Sequence, residues 1–509
     1  MVTTRITRWA AVLAVILLPE VTNAATLLEQ RVTDRTLANG MKVLLVERHG
    51  VPTVSYNVTF RVGSVNEDRG QSGLAHFFEH MAFKGTRTIG TKDYQHEQSL
   101  LDELDRLAVE PQTEQDKGTT ADPKRVAELR SRFQDVQDQA RKLVVSNELG
   151  ALYDRQGAVG FNATTGVDLT RYVVSLPANR FPLWLAIESD RIARPVFREF
   201  YTERDVVLEE RRLRVDTNPM GQLYEAFFAA AFVAHPYRVP TIGWPSDVER
   251  LTTVAARRFF DQYYSPDNAV VAIVGDIDAQ DVLRRLAASL GTIPVREEPP
   301  PVSTREPEQH GERRVDVEFD AQPQLLVGYH KPDLHHPDDA VFDVIEALLS
   351  SGRTSRLYTA LVKSQQVAVA ASASSGEPDA RYPNLFVLQA TPRAPHTLEE
   401  VEAALQAEIS RLQREDVSAR ELKKVINGVD ADLIRSLQSN SGLASRLAYF
   451  QAEAGDWRYL LRNRDQMAAV TPADIRRVAS TWFIQANRTV ARLVKPHPVP
   501  DAPRPQGPS

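Results

Sequence analysis

Apolar and polar positions change rhythm several times along the chain. Val43-Leu44-Leu45-Val46 is a short unbroken apolar run, and Val54 to Phe60 alternates apolar with polar residues. Both patterns predict β-strands. A helix is predicted over 72–84, and strands over 171–176 and 268–276 enclose a helical region at 180–232. Between 97 and 150 the chain turns polar and charged, with leucines at 100, 101, 104 and 107. Val126, Leu129, Phe133, Val136, Ala140 and Leu143 then step by threes and fours, the spacing of a short coiled-coil seam. The two stripes flank a predicted turn from Pro111 to Pro123. They are expected to form a helical hairpin inserted in the first domain, a self-contained projection.

Glu297-Glu298-Pro299-Pro300-Pro301 reads as a linker. Beyond it the order recurs: a strand at 325–329, a helix at 338–349, a strand at 384–389 and long helices over 398–451. Glu203 to Glu210 lines up with Glu421 to Gly428. Strands and helices alternating twice over predict an α+β fold of two homologous domains, at 25–295 and 311–495, joined by a linker at 296–310.

The ends differ from this body. Residues 1–24 combine Arg5 and Arg8 with an apolar run from Trp9 to Leu18 and small residues ending at Ala24, the pattern of a secretory signal cleaved there. Ten apolar residues fall short of the roughly 20 that span a bilayer, so no stable membrane span is expected after cleavage. Residues 496–509 are Pro-rich and expected to be a disordered tail. The 509 residues carry 61 Lys+Arg against 67 Asp+Glu, a formal charge of −6, without the basic excess of a nucleic-acid binder. Cysteine is absent, which excludes disulfides, thiolate metal sites and a cysteine nucleophile. Any metal is therefore held by His, Asp or Glu, and an exported cysteine-free chain fits a periplasm.

The chemistry concentrates in His76-Phe77-Phe78-Glu79-His80. Positions i and i+4 share a helix face, so both imidazoles reach one ion, and Glu79 projects beside them. Two neutral imidazoles, a carboxylate and an open position make the catalytic arrangement of zinc, in which an adjacent carboxylate serves as general base. His235, His310, His330, His335, His336 and His396 lack such spacing and read as surface or packing residues.

Set within Gly73-Leu74-Ala75-His76-Phe77-Phe78-Glu79-His80-Met81-Ala82-Phe83-Lys84-Gly85-Thr86, this motif resembles the inverted zinc site of the pitrilysin/insulinase peptidases, which include the mitochondrial processing peptidase and its bacterial relatives. The resemblance implies one zinc per chain, held by His76, His80 and a downstream glutamate in a Glu-x6-Glu helix. It carries that ligand role onto Glu210 and a supporting carboxylate role onto Glu203. Glu209 is the competing neighbour, about 100° away around a helix. Glu79 takes the role of general base. Asn162-Ala163 resembles the family's edge strand, which pairs with extended substrate. The implied architecture is two α+β domains, each a mainly antiparallel sheet with helices on it, forming one half of a clam-shell peptidase whose second domain is inactive. Two features depart from the family. The 130 positions from His80 to Glu210 exceed its usual interval, the hairpin supplying the excess. Val362 and Val369 stand where an Arg and a Tyr that bind substrate near the zinc are expected.

The function this implies is a periplasmic zinc endopeptidase acting on peptides or unfolded polypeptide segments. Its expected partner is a homologous subunit supplying Arg and Tyr in a heterodimer, with a homodimer as the other arrangement. The competing readings are a catalytically silent structural or partner subunit, and a binding module in which zinc is structural.

Overall fold

The structure, a computed structural model, describes residues 28–496; the signal expected at 1–24 and nearly all of the tail expected at 496–509 lie outside the described residues. The chain divides into two compact units. The first comprises the N-terminal part to 211, 239–304 and 427–468; the second comprises 212–238, 305–426 and the C-terminal part from 469. The units thus interleave, whereas a single cut at the 296–310 linker would leave 212–238 and 427–468 with the other sheet. The reason is apolar coverage. Leu443, Leu447 and Ala448 of the Asn440–Ala454 helix form one core cluster with Leu44, Val46, Val270 and Ala272 of the first sheet.

That first sheet contains β1 (Val32–Thr36), β2 (Lys42–Glu47), β3 (Thr53–Phe60), β4 (Val159–Thr165), β5 (Thr170–Pro177) and β6 (Ala269–Gly275), in the order β1-β2-β6-β3-β5-β4. Only β2 and β6 run parallel. Both strands are buried on both faces: Val43, Leu45, Val271 and Ile273 point to the main core, and their neighbours to the Asn440–Ala454 helix. In β3 the polar half of the alternation is also buried. Ser55, Asn57 and Thr59 satisfy themselves through Ser175 (2.7 Å), Ser445 (3.4 Å) and each other (2.7 Å).

The second sheet joins β7 (Arg313–Glu318), β8 (Gln324–Lys331), β9 (Ala368–Glu377), β10 (Asn384–Pro392) and β11 (Arg488–Val494) in the order β7-β11-β8-β10-β9. Its parallel pair, β7 with β11, occupies the place of β2 with β6, and the remaining pairings are antiparallel in the same sequence. Apart from β1, which has no counterpart in the second sheet, the two sheets are therefore the same topology used twice. Single residues repeat as well. Asn268 donates to the carbonyls of Tyr263 (2.9 Å) and Arg61 (3.3 Å), and Asn487 to those of Trp482 (2.9 Å) and His330 (2.8 Å).

The hairpin consists of the Tyr94–Gln115 and Pro123–Leu143 helices. Two expectations change here. Pro111 does not end the first helix, which continues for another turn; the Asp116 N–H bonds the Gln112 carbonyl (2.8 Å) and Thr113 Oγ1 that of Val109 (2.8 Å). Nor is the hairpin self-contained: Leu100, Leu104, Leu107, Leu129, Val136 and Ala140 belong to the main core of the first unit. The predicted 180–232 helical region is broken into the Phe181–Ala193, Phe200–Arg211 and Pro219–Ala231 helices.

Candidate metal centre

The helix bearing the motif runs from Leu74 to Met81, shorter than the 72–84 expected. Leu74, Phe77, Phe78 and Met81 form the i, i+3, i+4, i+7 stripe that anchors it in the core. Its start is set by Gly73, whose φ of 88° and contact with Gly243 admit no side chain: an added Cβ would lie 2.7 Å from the Ile242 carbonyl. Glu67 caps this end, accepting the N–H groups of Gly73 (2.9 Å) and Ala75 (2.7 Å). Burial raises the Glu67 carboxyl well above its ordinary pKa, against the pull of those backbone bonds. At the other end the chain turns out of the helix before Gly85, which frees Lys84 to face the next element.

That element is the Phe200–Arg211 helix, where Glu203, Val207 and Glu210 recur at four and three residues and so share a face. His76 Nε2 lies 3.7 Å and His80 Nε2 3.3 Å from the same oxygen of Glu210. One ligand atom from each of the three falls within 4.8 Å of the others. Two ligands about 2.1 Å from one ion at a tetrahedral angle are about 3.4 Å apart, so this donor set fits zinc. Glu209 is exposed and outside the trio. Glu203 accepts the Nδ1–H of His80 (2.9 Å), leaving Nε2 as the ligating nitrogen, and takes the Lys84 ammonium at 2.6 Å. Burial alone would raise the Glu203 carboxyl, but the bonds from His80 and Lys84 outweigh it and hold it below the ordinary range. For His80 burial favours the neutral ring, yet Glu203 and Glu210 together lift it to about 9 in the metal-free chain.

Glu79 stands beside the trio and next to Thr165 of β4, and burial raises its pKa. Asn162 and Ala163 lie on this same strand, at the edge of the sheet; Ala163 is buried against the core and Asn162 is exposed. The register of β4 against β5 shifts between Val159 and Asn162. The structure thus brings His76, Glu79, His80, Glu203 and Glu210 together and places Asn162 and Ala163 on the strand next to them. His235 is a packing residue: burial lowers its pKa to about 4, and its Nδ1 accepts the Tyr237 N–H (3.3 Å).

Sequence reasoning missed Lys84, Glu67 and Arg198. Lys84 was visible as the residue one turn after His80, within the motif itself. Arg198 is fully buried, bound to Glu97 (2.6 and 2.8 Å) and to the carbonyls of Lys84 (2.5 Å), Thr86 (3.0 Å) and Ile89 (3.2 Å). It ties the hairpin to the turn that follows the motif.

Residues 42–110, which contain the motif, match the family described as Insulinase (Peptidase family M16), and residues 250–429 match Peptidase M16 inactive domain. The zinc protease PqqE of Helicobacter pylori is 27% identical over 466 residues, covering 90% of this chain and 91% of that protein. An uncharacterized zinc protease of Mycobacterium bovis is 24% identical, covering 91% and 92%. A crystal structure of a protease from Helicobacter pylori superposes with a TM-score of 0.76 at 26% identity, over 91% of this chain and 99% of that one. The first half of the periplasmic protease PqqL from Escherichia coli gives 0.66 at 18% identity, over 92% of both chains. This chain corresponds to 48% of the complete PqqL, with a TM-score of 0.67.

Proposed function

We propose that this chain, a member of the pitrilysin/insulinase (M16) family, is an exported zinc endopeptidase that hydrolyses peptides or unfolded polypeptide segments. The observation that carries the reading is the convergence of His76, His80 and Glu210 with Glu79 beside them. Zinc at this trio would polarise the scissile carbonyl and make a water nucleophilic near neutral pH. Glu79, its carboxylate made more basic by burial, takes the proton of the attacking water and delivers it to the leaving amine. Glu203 fixes the tautomer and orientation of His80. The free edge of β4, carrying Asn162 and Ala163, pairs with the extended substrate. Export rests on the pattern of residues 1–24, and among the described residues no helix is long and apolar enough to cross a membrane. The partner is a homologous chain supplying the Arg and Tyr for which this chain has Val362 and Val369.

A catalytically silent subunit is the second reading, favoured by the match to an inactive domain. That match begins at residue 250, beyond every residue of the trio, and a scaffold has no need of three ligands and a base. Glu79→Gln separates the two: it should retain stoichiometric zinc and lose peptide hydrolysis, measured by metal analysis and cleavage of an unfolded protein. Wild-type turnover in Glu79→Gln would sink the mechanism. Glu210→Ala should lose the metal, whereas Glu209→Ala should keep it.

A further inference from the structure

Next to the trio the first unit holds a cavity of about 450 Å³. Glu79, His80, Phe83, Lys84, Glu199 and Glu203 line it together with residues 144–149, on which the hairpin returns to the sheet. Because Glu79 and His80 belong to the lining, a group entering the cavity lies beside the bond the site acts on. The volume is at the small end of ligand sites, enough for one long side chain with room for solvent.

The lining has two characters. Phe83, Val144, Val145 and Leu149 offer apolar contact to an alkyl stem. The charged groups are unbalanced. Glu79, Glu148, Glu199 and Glu203 supply four carboxylates against the single ammonium of Lys84 and the imidazole of His80. Lys84 is committed to Glu203 at 2.6 Å and Glu199 at 3.3 Å, and Glu148 holds only the Gly90 N–H, at 2.5 Å. With the two charges of a zinc ion at the trio and the ammonium of Lys84 set against Glu79, Glu148, Glu199, Glu203 and Glu210, two carboxylates stay uncompensated, and in a half-enclosed cavity their charge is weakly screened.

The geometry points to a pocket for a lysine or arginine side chain of the substrate, flanking the scissile bond, whose selectivity is set by Glu148 and Glu199 and whose lining is completed by the segment on which the hairpin returns. This rests on the peptidase reading above and names the residue class that the site selects. The test uses two peptides differing only in lysine or norleucine at one position. Their binding to zinc-loaded Glu79→Gln is compared with binding to the same chain carrying Glu148→Gln and Glu199→Gln, by fluorescence anisotropy. The lysine peptide should bind about tenfold more tightly, an advantage of about 1.4 kcal/mol, and the added substitutions should remove the difference while leaving the norleucine peptide unaffected. Equal affinities in the parent, or a preference that survives the substitutions, would overturn the pocket. If the added substitutions impair folding, Ser146→Lys, which brings a competing ammonium to the lining, should abolish the preference instead. Mapping the cuts made by the wild-type chain in an unfolded protein separates the two levels. Cuts without Lys or Arg enrichment sink the pocket and spare the peptidase; a lysine preference in binding with no cuts sinks the peptidase and spares the pocket.

Discussion

His80 is held from both sides by carboxylates, Glu203 on Nδ1 and Glu210 on Nε2, and only one of them is a ligand in the proposed centre. The i, i+4 spacing of the histidines was legible because helix periodicity alone places them together. Glu210 was legible only through resemblance, since 130 positions separate it from His80 and no local pattern spans that distance. The repeat leaves a residue-scale trace in the second unit. Glu346, on the Asp339–Ser350 helix, accepts the Ser375 N–H of β9 (3.0 Å), as Glu79 meets Thr165 of β4. Burial raises Glu346 from the ordinary 4.5 to about 7, with Asp343 and Glu377 adding to the rise. The folded state therefore holds this proton more tightly than the unfolded chain. Stability is fully present below about 4.5 and lost as pH rises through about 7, by up to about 3 kcal/mol. Glu346→Gln should match the wild type in urea denaturation near pH 4.5 and exceed it above pH 7. A constant difference at all pH values would show that the carboxyl does not titrate as described.

Among the elements, periodic helices and apolar strands could be read directly, but β9 could not. Its Ala-Val-Ala-Ala-Ser-Ala-Ser-Ser sequence has neither alternation nor β-propensity, and its place is fixed by pairing with β10. The hairpin was recognisable by its seam, but sequence cannot say which surface a seam meets. Its six buried core residues, at about 1.5–3 kcal/mol each, represent roughly 10 kcal/mol, comparable to the whole margin of a domain. Deleting residues 99–148 with a short linker should therefore abolish the cooperative unfolding transition. A folded, zinc-binding deletion would show the seam to be dispensable. Gly328 in β8 tests the second sheet, since an added Cβ would meet the Phe227 ring of the Pro219–Ala231 helix at 2.5 Å. Gly328→Ala should cost about 1–3 kcal/mol, with recovery in Gly328→Ala/Phe227→Leu.

At the scale of the whole molecule, the repeated topology accounts for two α+β units but leaves one of them without the ligand set. Gly428 stands where the alignment with Glu210 falls, and the aligned Glu421 is taken up by both Nε and Nη2 of Arg356 at 2.9 Å. Val362 lies in the Tyr358–Ser364 π-helix and Val369 on β9, 45% exposed, and neither side chain can donate a hydrogen bond to a substrate carbonyl. If a homologous chain supplies those donors, the purified chain should bind zinc and cleave slowly. Adding that chain should raise kcat/KM on the order of a hundredfold, the magnitude associated with one preorganised donor near a developing charge. Arg→Ala in the added chain should abolish the gain without affecting association, which separates chemistry from assembly. Full activity of the unmodified chain as a monomer or homodimer, measured by sedimentation and peptide hydrolysis together, would overturn the need for a donor chain and with it the alignment of Val362 and Val369.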